Sequence, residues 1–323
     1  MKRGDPPQDD TSEPLLGFGA SGPLLGFGAS GPWAMPWFSE AKAERVLRAA
    51  LAAGVRDLDT GPSYAGGNAE PRLGRLLRRL ASAPAGGPDG LVLPEGLRLT
   101  SKVGTQLGEG GRLVKDFRAE AIHRQAAASL AALGATRLDV LYLHGPDEHQ
   151  LASALPVLTE LQERGSIKAI GVVADDVHVS RAAARPEVDW IMAPYNALRQ
   201  GNGAALRDAQ AAGKRVAVVA PLAQGLWRRN LLLPRTPSGA WYAARALIRN
   251  REALRAARRA AWLRDVPGWS PAALSLAFVR EALAPDLILT TTTNPAHVSE
   301  SAEALARPVP PALAARLQGL IVS

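Results

Sequence analysis

From Leu24 onward, short apolar runs alternate with longer stretches in which Ala, Leu and Arg recur at a helical period. Eight of the apolar runs read as strands, over 24–26, 55–59, 97–101, 138–144, 168–172, 190–193, 216–220 and 287–291. Between and after them the amphipathic period predicts helices over 40–53, 69–80, 118–133, 151–164, 177–184, 204–212, 240–263 and 271–284. Gly54, Gly134, Gly165 and Gly213 each stand just past a predicted helix, where a left-handed residue ends the last turn. Strict strand–helix alternation implies a parallel sheet covered by helices. Eight repeats close naturally into a single-domain (β/α)8 TIM barrel, an α/β fold; a doubly wound open sheet is the alternative.

The chain ahead of that pattern is different. Residues 1–13 are polar and mixed in charge, with no apolar stretch behind them, so they read as a flexible tail and not as a secretory signal. The segment PLLGFGASG at 14–22 recurs letter for letter at 23–31. Each copy joins an apolar run to turn residues, which predicts a short N-terminal hairpin or extended strand; a phosphate-binding glycine loop is disfavoured because no helix follows the first copy. The Gly/Pro-rich stretch 82–96 reads as a surface loop, so 14–323 is taken as one barrel domain.

Composition narrows the chemistry. Hydrophobic residues make up 47% and charged residues 21%, enough for a sizeable core. Cysteine is absent, which removes disulfides, thiolate nucleophiles and cysteine-ligated metals. No apolar run reaches the roughly 18 residues of a membrane span, so no membrane association and a cytoplasmic location are expected. The net charge of +8 is spread as arginine over many helices. Only Arg251, Arg255, Arg258 and Arg259 cluster, on a predicted helix whose Leu247, Leu254 and Trp262 would turn inward. Without interleaved aromatics this reads as a solvated face, and no nucleic-acid partner is expected.

Candidate chemistry sits where strands end. Asp59 closes the second predicted strand, Lys102 follows the third, His144 closes the fourth, and Tyr64 lies five residues past Asp59. In a parallel barrel these ends share one face. A phenol with a pKa of about 10 donates a proton near neutrality more readily beside a cation. Lys102 is that candidate cation, Asp59 is the carboxylate that keeps it charged when desolvated, and His144 is placed to hydrogen-bond a substrate oxygen. Asp147 and His149 lie near His144 without a third histidine at ligand spacing, so no metal is expected. His123 and His178 have no motif around them, and Gly66 and Gly67 read as shaping the loop that carries Tyr64.

The motifs DTGPSYAGGNAEPRLG at 59–74, TSK at 100–102 and DVLYLHGPD at 139–147 resemble those of the aldo-keto reductase family, and KAIGV at 168–172, PYN at 194–196, APLAQGL at 220–226 and TTNPAHVSE at 292–300 extend the likeness. Within it, the HGPD sequence is similar to a bacterial branch of sugar dehydrogenases and pyridoxal-type reductases. The resemblance implies an NAD(P)-dependent oxidoreductase acting on a small aldehyde, ketone or sugar. Tyr64 would be the general acid/base, Lys102 and Asp59 its ion-paired modulators, and His144 the group that orients the carbonyl. It also implies NADP as cofactor, with NAD as the second choice, held by Asn196, Pro221, Leu222, Gly225, Thr291, Thr292, Asn294, His297 and Glu300.

The chain departs from the family pattern around the cofactor. Val173 and Ala174 replace a Ser-Asn pair, Met192 a glutamine and Val219 an aromatic residue; Thr291 and His297 stand where a lysine and an arginine often grip the 2'-phosphate. Imidazole does not fork onto phosphate as guanidinium does, which weakens the expected NADP preference. Arg228 and Arg229 are the next phosphate candidates. A cofactor-binding regulatory barrel with little turnover is the competing reading. The partners expected are a small carbonyl or sugar substrate, and the assembly a monomer or weak homo-oligomer.

Overall fold

The computed structural model describes residues 24–81, 95–223, 233–249, 258 and 260–320. The tail 1–13, the first copy of the repeat, most of the 82–96 loop, Gly225, Arg228, Arg229, Arg251, Leu254, Arg255 and Arg259 lie outside the described residues. All eight expected strands form: β1 (Leu25–Gly28), β2 (Asp57–Asp59), β3 (Arg98–Val103), β4 (Leu138–His144), β5 (Ile167–Val173), β6 (Trp190–Pro194), β7 (Arg215–Val219) and β8 (Leu287–Thr290). They close into a parallel barrel in sequence order, and β8 returns to β1 with Leu25 opposite Ile288.

Around the barrel run α1 (Glu40–Ala52), α2 (Ala69–Ala81), α3 (Ala119–Leu133), α4 (Glu148–Glu163), α5 (Val177–Ala183), α6 (Gly203–Ala211), α7 (Pro237–Arg249) and α8 (Pro271–Leu283), with α9 (Ala296–Ala306) and α10 (Pro311–Gln318) after β8. The four stop glycines hold positive φ, from 70° at Gly134 to 87° at Gly54. No helix among the described residues is long and apolar enough to cross a membrane.

The period of two along each strand divides the core. Leu58, Leu141, Leu143, Ile170, Val172, Ile191, Val216, Val218 and Ile288 belong to the larger buried cluster shared with the helices. Val140, Tyr142, Ala169, Trp190, Met192, Ala217, Leu287 and Leu289 fill the barrel itself. At its N-terminal end Arg98 forks onto both carboxylate oxygens of Asp57, and the Arg215 guanidinium lies 5.7 Å from the Trp190 ring centre. The floor is thus closed by charge pairing and aromatic packing, which leaves the opposite end for chemistry.

Three expectations change. β3 runs two residues further than predicted, so Lys102 is inside the strand and its side chain points into the barrel. The helix expected over 240–263 is not continuous: α7 starts at Pro237, Ala260 has left helical geometry (φ −94°, ψ 15°), and Ala261–Asp265 is a 3-10 turn. Docking explains this, because Leu263 is fully buried and the Trp262 ring stacks 3.8 Å beneath Arg316 of α10. Leu247 does not pack inward but is 47% exposed; the small side chains of Ala243 and Ala246 occupy the buried face instead. An antiparallel hairpin (Thr105–Leu107 with Leu113–Lys115), α9 and α10 had no counterpart in the predicted elements.

Gly171 of β5 shows how tightly the barrel is filled. A Cβ there would stand 2.3 Å from the ring of Tyr142, which neighbours it in register and is fully buried. Gly171→Ala is expected to destabilise the protein by about 1–3 kcal/mol through overpacking. Urea unfolding of the variant measures this; an unchanged midpoint would mean that the Tyr142 ring has room to move.

Candidate active site

Asp59 and Lys102 are brought together by the register of β2 and β3, which sets Asp59 opposite Thr100. The Lys102 ammonium contacts Asp59 Oδ1 at 2.6 Å and Oδ2 at 2.7 Å, and donates to the Thr60 carbonyl at 2.8 Å. Thr100 donates a further hydrogen bond to Asp59 Oδ1 at 2.9 Å. Both charged side chains are almost fully buried, at 1% and 6% exposure. Burial pulls the lysine pKa down, but the Asp59 carboxylate and then the Tyr64 oxygen more than reverse this, and Lys102 stands above its ordinary value.

Tyr64 reaches this pair from the turn Tyr64–Gly67, where Ala65, Gly66 and Gly67 all adopt positive φ. Three successive left-handed residues fold the loop back over the barrel mouth, a path that the glycine pair makes accessible. The Tyr64 ring centre lies 4.9 Å from the Lys102 ammonium, and its edge-to-face contact with His144 has centroids 6.0 Å apart. Burial raises the phenol pKa, against the pull of Lys102. The group is a protonated donor with a cation alongside.

His144, at the end of β4, is half-buried, and its Nδ1 has no hydrogen-bond partner among the described residues. Burial first, then the charges of Lys102 and Lys115, lower its pKa to about 4. The imidazole is therefore neutral at physiological pH and keeps an unspent polar atom. Below it the fully buried Tyr142 ring lies 5.9 Å from the Lys102 ammonium, with its hydroxyl also unpartnered among the described residues. On the outer side of β3, Ser101 donates to the buried Glu70 of α2 at 2.5 Å, and Ser129 of α3 stands 3.4 Å from Ser101. This anchors the strand immediately beside Lys102.

The opposite arc of the mouth is aliphatic. Val173 neighbours His144 in register, Met192 neighbours Val173, and Val219 neighbours Pro194. Val173 and Val219 are half-buried, while Met192 and Ala174 are buried.

The remaining candidates fall into two separate groups. Asn196 donates to the Ala220 carbonyl at 3.0 Å and accepts from the Leu198 and Arg199 amides, so its amide ties the loop after β6 to that after β7. Pro221 is buried and Leu222 half-buried between the positive-φ residues Ala220 and Ala223. Beyond β8, Thr291 donates to the Gly28 carbonyl at 2.7 Å and lies 3.0 Å from Ser30 Oγ, stitching β8 to β1. Thr292 Oγ1 accepts from the Asn294 amide and lies 3.1 Å from His297 Nδ1 at the start of α9, where Asn294, His297 and Glu300 are exposed.

Asp147 is engaged elsewhere: it caps α4 in a reciprocal box with Gln150. Reasoning from sequence passed over Glu70 and Tyr142 although both lie inside the recognised motifs. It also passed over Lys115, which no motif marks and which the antiparallel hairpin after β3 fastens beside the end of β4.

Residues 25–321 match the model of the Aldo/keto reductase family. A D-threo-aldose 1-dehydrogenase from a Pseudomonas species is 34% identical over 196 residues, 55% of this chain and 56% of that protein. An NADH-specific methylglyoxal reductase from Escherichia coli (strain K12) is 31% identical over 195 residues, 58% of each. The chain thus spans little more than half the length of these curated relatives. A glycerol dehydrogenase structure from Gluconobacter oxydans shares the fold, with a TM-score of 0.71 over 92% of this chain and 90% of that one at 20% identity.

The neutrality of His144 has a consequence for stability. Unfolded, its imidazole takes up a proton below an ordinary pKa of about 6.5. Folded, it does so only near about 4. The unfolded state therefore binds more protons in between, and stability that is complete above the higher value is lost progressively as pH falls toward the lower one. Urea midpoints measured from pH 7 to pH 4 are expected to fall more steeply for the wild type than for His144→Gln. Parallel curves would mean that His144 is protonated in the fold.

Proposed function

Because the chain belongs to the aldo/keto reductase family, we propose that it is an NAD(P)-dependent oxidoreductase of small aldehydes, ketones or sugars, with Tyr64 as its general acid/base. The observation that carries this reading is the buried Lys102–Asp59 pair directly beneath the Tyr64 ring. A desolvated ion pair contributes little to stability in itself, and replacing such pairs with apolar side chains is often neutral or stabilising. Under a phenol it has a use: the phenolate left after proton donation is stabilised by the lysine, and the carboxylate keeps that lysine charged.

Each group then has one task. In carbonyl reduction Tyr64 gives its proton to the substrate oxygen, and in alcohol oxidation it takes the proton back. Neutral His144, with its free Nδ1, hydrogen-bonds the same oxygen and fixes the direction from which the carbonyl is presented. A protonated histidine here would stand next to Lys102, which is why the low pKa matters.

A bound nicotinamide dinucleotide supplies or accepts the hydride. The residues present fit such a group: Val173, Met192 and Val219 offer an aliphatic wall for a planar ring beside the groups that would meet the substrate oxygen. Pro221 and Leu222 would line its middle, and Thr292, Asn294, His297 and Glu300 its adenosine end. The Thr291 hydroxyl is committed to β1 and His297 is a lone imidazole, so the 2'-phosphate of NADP finds a weak grip. We take NADP as the cofactor, discriminated only weakly from NAD. The methylglyoxal reductase relative, NADH-specific by name, agrees with a family site that does not depend on the phosphate.

The apolar substitutions around the ring favour one other reading, a barrel that binds cofactor and turns over little. Steady-state assays with NADPH and NADH against an aldehyde panel separate the two. The wild type is expected to turn over with either cofactor. Tyr64→Phe should lose at least about a hundredfold in turnover while its affinity for both cofactors, read by fluorescence titration, stays nearly the same. Wild-type turnover in the variant would remove Tyr64 from the chemistry; no turnover in the wild type would favour the binding subunit.

A further inference from the structure

Between β3 and α3 the chain makes the hairpin Thr105–Leu107 against Leu113–Lys115, which adds little to the core. Leu113 and Val114 are 56% and 45% exposed, and Glu109, Gly110 and Gly111 at its tip are exposed as well. A two-stranded hairpin is marginal in water by itself, so its order depends on what it touches.

Its root is firm. Gly104, two residues past Lys102, turns the chain off β3 with a φ of 90°. A Cβ there would stand 2.1 Å from the Phe117 ring. The Gly104 amide donates to the buried Gln125 of α3 at 2.9 Å, and its carbonyl accepts from the Asp116 amide at 2.8 Å.

Thr105 and Leu107 share one face of the hairpin by the period of two, and Lys115 joins them because it stands opposite Thr105. That face meets the supports of both reacting groups. The Thr105 hydroxyl donates to the His144 carbonyl at 3.0 Å, and the Lys115 ammonium donates to the Gly145 carbonyl. Leu107 lies against the turn that carries Tyr64, since a Cβ on Gly67 would stand 3.4 Å from its side chain. That turn runs through three positive-φ residues, and Asn68 ties its far end to the Ala34 carbonyl at 2.7 Å. The Tyr64 and His144 rings themselves meet edge to face, a soft contact that does not set their separation.

We propose that this hairpin is a positioning clip for the reaction: Thr105, with Lys115, fixes the end of β4 and Leu107 fixes the Tyr64 turn, so that phenol and imidazole converge on one substrate oxygen. Thr105 and Leu107 are positioning residues that act through His144 and Tyr64. The inference deepens the oxidoreductase reading above and rests on it.

Thr105→Val, Thr105→Ser and Leu107→Ala provide the test. In aldehyde reduction at saturating NADPH, Thr105→Val and Leu107→Ala are each expected to lower kcat by at least about tenfold, because small displacements of reacting groups are costly. KM, NADPH affinity by fluorescence titration and the urea midpoint should change little. Thr105→Ser, which keeps the donor, should restore most of the rate lost in Thr105→Val. Unchanged kcat in Thr105→Val and Leu107→Ala would overturn the proposal. So would losses that Thr105→Ser does not restore, or that parallel a fall in the urea midpoint.

Amide hydrogen exchange needs no turnover and keeps the two readings apart. Faster exchange is expected at Tyr64–Gly67 in Leu107→Ala and at His144–Gly145 in Thr105→Val, with the rest of the barrel unchanged. That pattern supports the clip even if the wild type reduces nothing, in which case only the oxidoreductase reading fails. Unaltered exchange at both segments would refute the clip whatever the kinetics.

Discussion

A lysine ammonium at 1% exposure is the constraint around which the rest of the site is arranged. Left alone in that position it would shed its proton, because burial disfavours the charged form. Asp59 prevents this, and the carbonyl of Thr60 takes the remaining donor. Removing one partner of such a pair costs about 3–5 kcal/mol, which ties the geometry of β2 to that of β3. The neighbours respect the same charge. His144 stays neutral beside it, and Tyr64 lies over it as a neutral phenol. Glu70, buried behind β3, has its pKa raised by desolvation although Ser101 donates to it.

The barrel keeps this polarity to one arc. Strands β2, β3 and β4 contribute Asp59, Lys102 and His144, while β5, β6 and β7 contribute Val173, Met192 and Val219. A polar, titratable side therefore faces an aliphatic side across one mouth. Water is kept from the ion pair by packing from below, where the Tyr142 ring and Gly171 fit together without spare volume. The small glycine in β5 thus bears on the chemistry through the ring it admits.

Much of this was legible in the residues themselves. Alternating strand and helix periods give eight strands, and the stop glycines mark where helices end; both depend on local backbone rules that tertiary contacts did not override. Asp59, Tyr64, Lys102 and His144 were legible because strand ends in a parallel barrel converge by topology. What escaped depends on contacts distant in sequence. Trp262 and Leu263 break a periodic helix by docking on α10, and Leu247 faces solvent because Ala243 and Ala246 already fill the buried face. Thr291 was expected at the cofactor, yet β1 claims its hydroxyl across more than half the chain. Lys115 sits on a hairpin that no motif announces.

The central claim is that Lys102 acts through Tyr64 and not separately from it. A double-mutant cycle on kcat/KM for aldehyde reduction addresses this, using Tyr64→Phe, Lys102→Met and the double variant. If the lysine serves only to stabilise the phenolate, the double variant should be scarcely slower than Tyr64→Phe alone, because without a phenol the lysine has nothing left to do. Losses that multiply would contradict the account and give Lys102 a role of its own.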